Sequence, residues 1–177
     1  MSTIKLYIAT SIDGFIAREN GALDWLTALP NPNQIDHGYA AFYQTIDTVI
    51  MGRTTYEEIL GFGVDWPYPD CQTYVLTSDP NYQVNTESTA ILNEPDAEQI
   101  LQIKSASKRD LWVVGGGKVI TAMMNDRLID EMILSVIPIV LGRGIRLLPD
   151  HPRETLFTLT HSESFETGVV NLTYTKK

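Results

Sequence analysis

The stretch Leu111-Trp112-Val113-Val114-Gly115-Gly116-Gly117-Lys118-Val119 decides how this chain folds. A short β-rich apolar run stops at three glycines, and helical spacing resumes from Lys118 to about Asn125. The same order occurs upstream, where Thr48-Val49-Ile50-Met51 reads as a buried strand and Gly52-Arg53-Thr54-Thr55 turns straight into a helix through Leu60. At such a junction the first N–H groups of the helix and the positive end of its dipole face the space beyond the strand, where an anion can sit. Glycine lets a pyrophosphate approach the backbone closely. Neither junction carries the G-x-G-x-x-G or G-x-x-x-x-G-K-[ST] spacing, so the two familiar nucleotide folds are not indicated.

Outward from these junctions the chain alternates. Ile4–Thr10, Thr73–Thr77 and Glu131–Ile137 read as strands; Asp36 to Thr45 and Asp96 to about Ser105 read as helices. Asp13-Gly14 marks a turn, and Asn20 to about Gly38 and Gly61 to Pro69 read as loops. Phe157-Thr158-Leu159 and Val169 to Tyr174, around Glu166-Thr167-Gly168, suggest a terminal antiparallel hairpin. The pattern predicts one α/β domain over residues 1–177: a mostly parallel sheet covered on both faces, with the hairpin as its antiparallel edge.

The net charge of −9 disfavours nucleic acid and anionic membrane as partners, since both are bound through clustered cations. A phosphate-bearing small molecule remains open, because backbone donors need no net positive charge. No apolar run approaches the roughly 20 residues of a membrane span, and a cytoplasmic protein is the simplest expectation. A single cysteine, Cys71, permits no intrachain disulfide and no cysteine-cluster metal site. His37, His151 and His161 are scattered without metal-ligand spacing, so no metal is expected.

Three segments together resemble the dihydrofolate reductase superfamily. Val49-Ile50-Met51-Gly52-Arg53-Thr54-Thr55-Tyr56-Glu57 is similar to its cofactor loop, Val75-Leu76-Thr77-Ser78 to the strand end at the adenine-side ribose, and Val113 to Val119 to its glycine loop. Within the superfamily, Ser11-Ile12-Asp13-Gly14-Phe15-Ile16-Ala17 and Ile137 to Gly144 look more like the reductase domain of riboflavin biosynthesis and its stand-alone relatives. The resemblance covers nearly the whole chain. It implies a dihydrofolate-reductase-like three-layer sandwich, NADPH as cofactor, a cis peptide between Gly115 and Gly116, and a homodimer.

By the same resemblance, Gly52, Arg53, Thr54 and Thr55 would bind phosphates, with Arg53 near the 2′-phosphate. Thr77 and Ser78 would line the adenosine side, and Gly115, Gly116, Gly117, Lys118 and Val119 the pyrophosphate. Ala9, Ile16 and Ala17 would border the nicotinamide. Hydride transfer to a C=N or C=O carbon is the implied chemistry, with a proton delivered to the neighbouring atom.

Asp36 falls near the carboxylate that orients the pterin in folate reductases, although a helix N-cap fits its position equally well. Ser135 matches a hydroxyl facing the substrate, and Asp13 is a second acidic candidate, though Asp-Gly is as readily a turn. Tyr39, Phe42 and Tyr43 read as core with one face toward the pocket; Trp66 and Tyr68 lie in a loop that could cover a flat ligand.

Folate reductases hold the substrate's glutamate tail with an arginine shortly before the third strand. Here Trp66 to Thr73 contains no cation, and Asp70 would repel a carboxylate. No arginine cluster suited to a ribose phosphate is evident either. The expected activity is therefore reduction of a small heteroaromatic, pterin- or pyrimidine-like molecule, with weak or no dihydrofolate reduction. A non-catalytic nucleotide-binding protein of the same fold is the alternative. A fused zinc deaminase is excluded, since no H-x-E with P-C-x-x-C occurs and the chain leaves no room for a second domain.

Overall fold

The computed structural model describes residues 2–149 and 151–177. Ten strands and five helices follow in the order β1 (Ile4–Ser11), β2 (Phe15–Ala17), α1 (Asp24–Thr27), α2 (Tyr39–Tyr43), β3 (Ile46–Gly52), α3 (Arg53–Gly61), β4 (Gln72–Thr77), β5 (Thr89–Asn93), α4 (Ala97–Ala106), β6 (Asp110–Gly115), α5 (Gly117–Asn125), β7 (Glu131–Ile137), β8 (Ile145–Arg146), β9 (Phe157–Ser164) and β10 (Val170–Lys176). Eight strands form one sheet in the order β5-β4-β3-β6-β1-β7-β10-β9. The first six run parallel, and β10 and β9 close the edge antiparallel. The expected mostly parallel sheet with an antiparallel hairpin edge is the architecture found.

Period-2 alternation sends side chains to two faces. Ile4 and Leu6 of β1, Ile50 of β3, and Leu111 and Val113 of β6 pack under α4 and α5. Val49, Met51, Val75 and Trp112 pack on the other face against Phe42 of α2 and Tyr56 and Ile59 of α3. This makes the three layers. The helix α4 opens on a capping box, with Asp96 accepting from the Gln99 N–H and the Gln99 side chain accepting from the Asp96 N–H.

Three features depart from the sequence expectation. β5 lies between the expected strand Thr73–Thr77 and the expected helix from Asp96, where no element is expected, and it pairs parallel with β4 at the sheet edge. Short α1 interrupts the expected loop before Gly38. The expected helix from Asp36 begins only at Tyr39, because Gly38 sits at φ +84°, outside helical space. Outside the main sheet, β2 pairs antiparallel with β8 across about 130 residues of sequence, and only tertiary contacts could reveal it.

Candidate active site

The connections leaving β3 and β6 diverge. From β3 the chain moves outward to β4, and from β6 it crosses β1 to reach β7. Adjacent strands whose connections part in this way leave a crevice at their carboxyl ends, where α/β proteins bind ligands. Both glycine junctions open on that crevice, since Met51 pairs with Gly115.

Their helix starts interlock. A Cβ on Gly52 would lie 3.1 Å from Cγ2 of Val119, and one on Gly116 would lie 3.3 Å from Oγ1 of Thr55. Neither α3, opened by Gly52, nor α5, opened by Gly116, has a side-chain cap at its first turn. Two sets of orphan N–H groups therefore face one crevice, flanked by Thr54, Thr55 and exposed Lys118. This donor set, cleared of Cβ atoms at the junction, fits a pyrophosphate. The Gly115–Gly116 peptide is cis, as expected.

Thr77 ends β4 one strand beyond β3, and its hydroxyl accepts from the Asp79 N–H. Arg53 is half-exposed at the same end. Its guanidinium meets Glu57 at 3.2 Å and Asp79 at 3.4 Å, and it lies 5.0 Å above the Tyr82 ring. From β4 to β1 the site spans three strand spacings, about 14 Å. That is the reach of an extended dinucleotide.

On the β1 side, Val114 immediately precedes the glycines and also lines a cleft of about 380 Å³. Ala9 and Ser135, paired across β1 and β7, share its floor. Tyr7, Tyr39, Tyr68 and Trp112 form the aromatic walls, with Leu23 and Leu26 of the α1 segment beside them. The predicted cofactor crevice and the predicted substrate residues thus meet at one strand end. Ile16 and Ala17 lie on β2, which pairs with β8, and neither is among the residues lining the cleft.

The three acid or hydroxyl candidates have separate fates. Asp36 lines the cleft and accepts from the N–H groups of Gly38 and Ala40, but α2 starts later than expected and its N-cap is Gly38, so Asp36 is not the N-cap. Those two donors hold its carboxyl below the usual range. Asp13 accepts from Ser11 Oγ at 2.7 Å, Leu141 N at 3.0 Å and Gly142 N at 2.7 Å, which clamps the 11–17 segment to the 137–147 segment. Its carboxyl is lowered to about 2, chiefly by the Ser11 hydroxyl. Ser135 is buried and donates to Asn171 Oδ1 at 2.7 Å.

Sequence reasoning missed the network behind Ser135. Asn171 Nδ2 donates to the His37 carbonyl at 2.7 Å, and the Tyr7 hydroxyl donates to the same oxygen at 3.2 Å. Burial pushes the Tyr7 phenol up. His37, in the turn before α2, is half-buried and lines the cleft at φ +54°, with Nε2 2.9 Å from Thr167 Oγ1. These partners lie 30 to 134 residues apart, and no local pattern encodes them. Cys71 is buried, in keeping with a packing role. Among the described residues no cluster of three or more His, Cys, Asp or Glu could hold a metal, and no helix is long and apolar enough to cross a membrane.

Sheet order, interlocked glycine junctions and an aromatic cleft at the strand ends define a dihydrofolate-reductase-like protein. Comparison with solved structures agrees: the fold superposes on Enterococcus faecalis dihydrofolate reductase complexed with NADP(H) at TM-score 0.69 and 22% identity, covering 99% of this chain and 96% of that one. The chain belongs to the RibD C-terminal domain family, which matches residues 2–171. A putative riboflavin biosynthesis protein from Shewanella sp. PV-4 shares 31% identity at TM-score 0.89 over 99% of both chains. The uncharacterized protein YwjB of Bacillus subtilis (strain 168) is 39% identical over 165 residues, 93% of this chain and 92% of that protein.

Proposed function

We propose that this protein is an NADPH-dependent reductase of a small, flat heterocyclic substrate. The observation that carries the reading is the convergence of two uncapped helix starts on one crevice that opens, through Val114, into the aromatic cleft. NADPH, when bound, supplies the hydride. Gly52 to Thr55 and Gly115 to Val119 bind the phosphates through N–H groups, hydroxyls and Lys118, while Thr77 and Ser78 line the adenosine side and Arg53 the 2′-phosphate. Ala9, Ile16 and Ala17 border the nicotinamide, and the Asp13 clamp keeps the segment carrying Ile16 and Ala17 in place.

The chain's contribution to rate is orientation and exclusion of water. Ser135, Asn171, Tyr7 and the His37 backbone form the polar edge against which a substrate ring registers. Among the described residues no lysine or arginine lines the cleft, which supports weak or no dihydrofolate reduction. The test is an NADPH-oxidation screen against pterins, dihydrofolate and aminopyrimidine ribityl compounds. Turnover of a pterin or pyrimidine supports the reading. Binding of NADPH with no turnover of any compound would favour the nucleotide-binding alternative, and a dihydrofolate kcat/KM near ~10⁶ M⁻¹s⁻¹ would contradict the substrate reading. A homodimer is also proposed from the family resemblance; sedimentation as a monomer at micromolar concentration would contradict it.

A further inference from the structure

We propose that Tyr82 is a positioning residue for Arg53 and thereby sets the preference for a 2′-phosphorylated dinucleotide over its unphosphorylated counterpart. This deepens the reductase reading and rests on its cofactor. The observation behind it is that the guanidinium carbon of Arg53 lies over the Tyr82 ring, 5.0 Å from the centroid.

Arg53 is the first residue of α3, at the edge of the crevice, and its side chain is half-exposed. A long side chain in that setting loses rotamer freedom when a phosphate holds it, unless something has already ordered it. Its carboxylate neighbours order it loosely. Glu57 lies 3.2 Å from Nε and Asp79 lies 3.4 Å from Nη1, both beyond the roughly 2.7–2.9 Å of a tight charge-assisted pair. Each of them also faces an N–H that a phosphate would use. The ring acts differently: its π face attracts the guanidinium and takes up none of the N–H donors.

The ring itself is fixed before any ligand arrives. Tyr82 sits in the connection between β4 and β5, which is tied down on both sides of it. On one side the Asp79 N–H donates to Thr77 Oγ1 at 3.1 Å, and the Asn81 N–H donates to the Asp79 carboxylate at 2.9 Å. The Tyr82 N–H closes the turn on the Asp79 carbonyl at 3.3 Å. On the other side the hydroxyl of buried Tyr56, in α3, donates to Asn85 Oδ1 at 3.0 Å and accepts from the Asn85 N–H at 3.1 Å. Between these ties the Tyr82 ring meets Tyr56 edge-to-face, with centroids 6.5 Å apart. Arginine and ring are thus both anchored on α3, an arrangement that lowers the cost of ordering on binding.

The test is calorimetric titration of NADPH and NADH into the parent protein, Tyr82→Phe, Tyr82→Leu, Tyr82→Gln and Arg53→Met, with circular dichroism to check folding. Tyr82→Leu and Tyr82→Gln remove the ring in two ways. Each should weaken NADPH about two- to fivefold, the scale of a cation–π contact at an exposed site, and leave NADH unchanged. Tyr82→Phe keeps the ring and should keep the preference. In the Arg53→Met background, Tyr82→Leu should change neither affinity, because no cation is left to position; a merely structural role would persist there.

An undiminished NADPH preference in the ring-less variants, an equal loss for both cofactors, loss of the preference in Tyr82→Phe, or an effect that survives Arg53→Met overturns the proposal. Failure of the parent protein to bind NADPH is a different result: it removes the cofactor reading and the proposal with it. Turnover plays no part in the readout, so a protein that binds NADPH without reducing any compound still decides the role of Tyr82.

Discussion

Asp13 shows how a single residue can hold two distant segments together. As Asp-Gly in sequence it reads equally as acid or turn, and only its three donors reveal a clamp. Its folded-state pKa of about 2 lies below the ordinary aspartate value, so its stabilising contribution is present above about pH 4 and is lost as pH falls through about 2. Asp13→Asn should therefore lower the melting temperature at pH 7, and the gap to the parent protein should close toward pH 2, as thermal unfolding across that range would show. An unchanged melting temperature at pH 7 would mean the clamp is dispensable.

At the end of the sheet near Thr77, Arg53 faces Glu57 and Asp79, which would compete with a 2′-phosphate for its guanidinium. NADPH should still bind more tightly than NADH, through a charge-assisted contact to Arg53. Asp79→Asn should strengthen NADPH binding about two- to fivefold, the scale of a half-exposed charge pair, and leave NADH unchanged. Equal dissociation constants of the two cofactors in the parent protein would remove Arg53 from this role.

Among elements, those at the centre of the sheet were the most legible in sequence. The strands β3 and β6 carry the apolar runs Val49–Met51 and Leu111–Val114 because both faces are covered; β3 ends on Gly52, which opens α3, and β6 ends on Gly115, one residue before the Gly116 that opens α5. The elements missed are short or peripheral. β5 is four half-exposed residues and an exposed Asn93 after a polar segment, and β2 and β8 are three and two residues held by distant partners. The cleft network was hidden for the same reason: Tyr7 and Asn171 sit inside ordinary strand patterns, and their shared acceptor is a backbone carbonyl.

Two glycines of helices test the packing. A Cβ on Gly117 would lie 2.7 Å from the Arg146 carbonyl oxygen and 2.9 Å from Pro149, so Gly117→Ala should cost about 1–3 kcal/mol in urea unfolding. Gly61, the last residue of α3, has open space around it, and Gly61→Ala should be neutral or stabilising by up to about 1 kcal/mol. The opposite order of stabilities would contradict the packing described.

Across the whole molecule, the sheet order brings segments from residues 9 to 135 together on neighbouring strands, with two uncapped helix starts at one end and an aromatic cleft at the other. The acidic surface does not oppose this, because the donors are backbone N–H groups at two helix starts. The most direct test of the account is calorimetric titration of NADPH into the protein and into Gly116→Ala, whose added Cβ would stand between the two helix starts, 3.3 Å from Thr55 Oγ1. The account predicts a dissociation constant of about 10 µM or tighter for the parent protein and at least about tenfold weaker binding for the folded variant. No binding at millimolar NADPH, or equal affinity in both proteins, would contradict it.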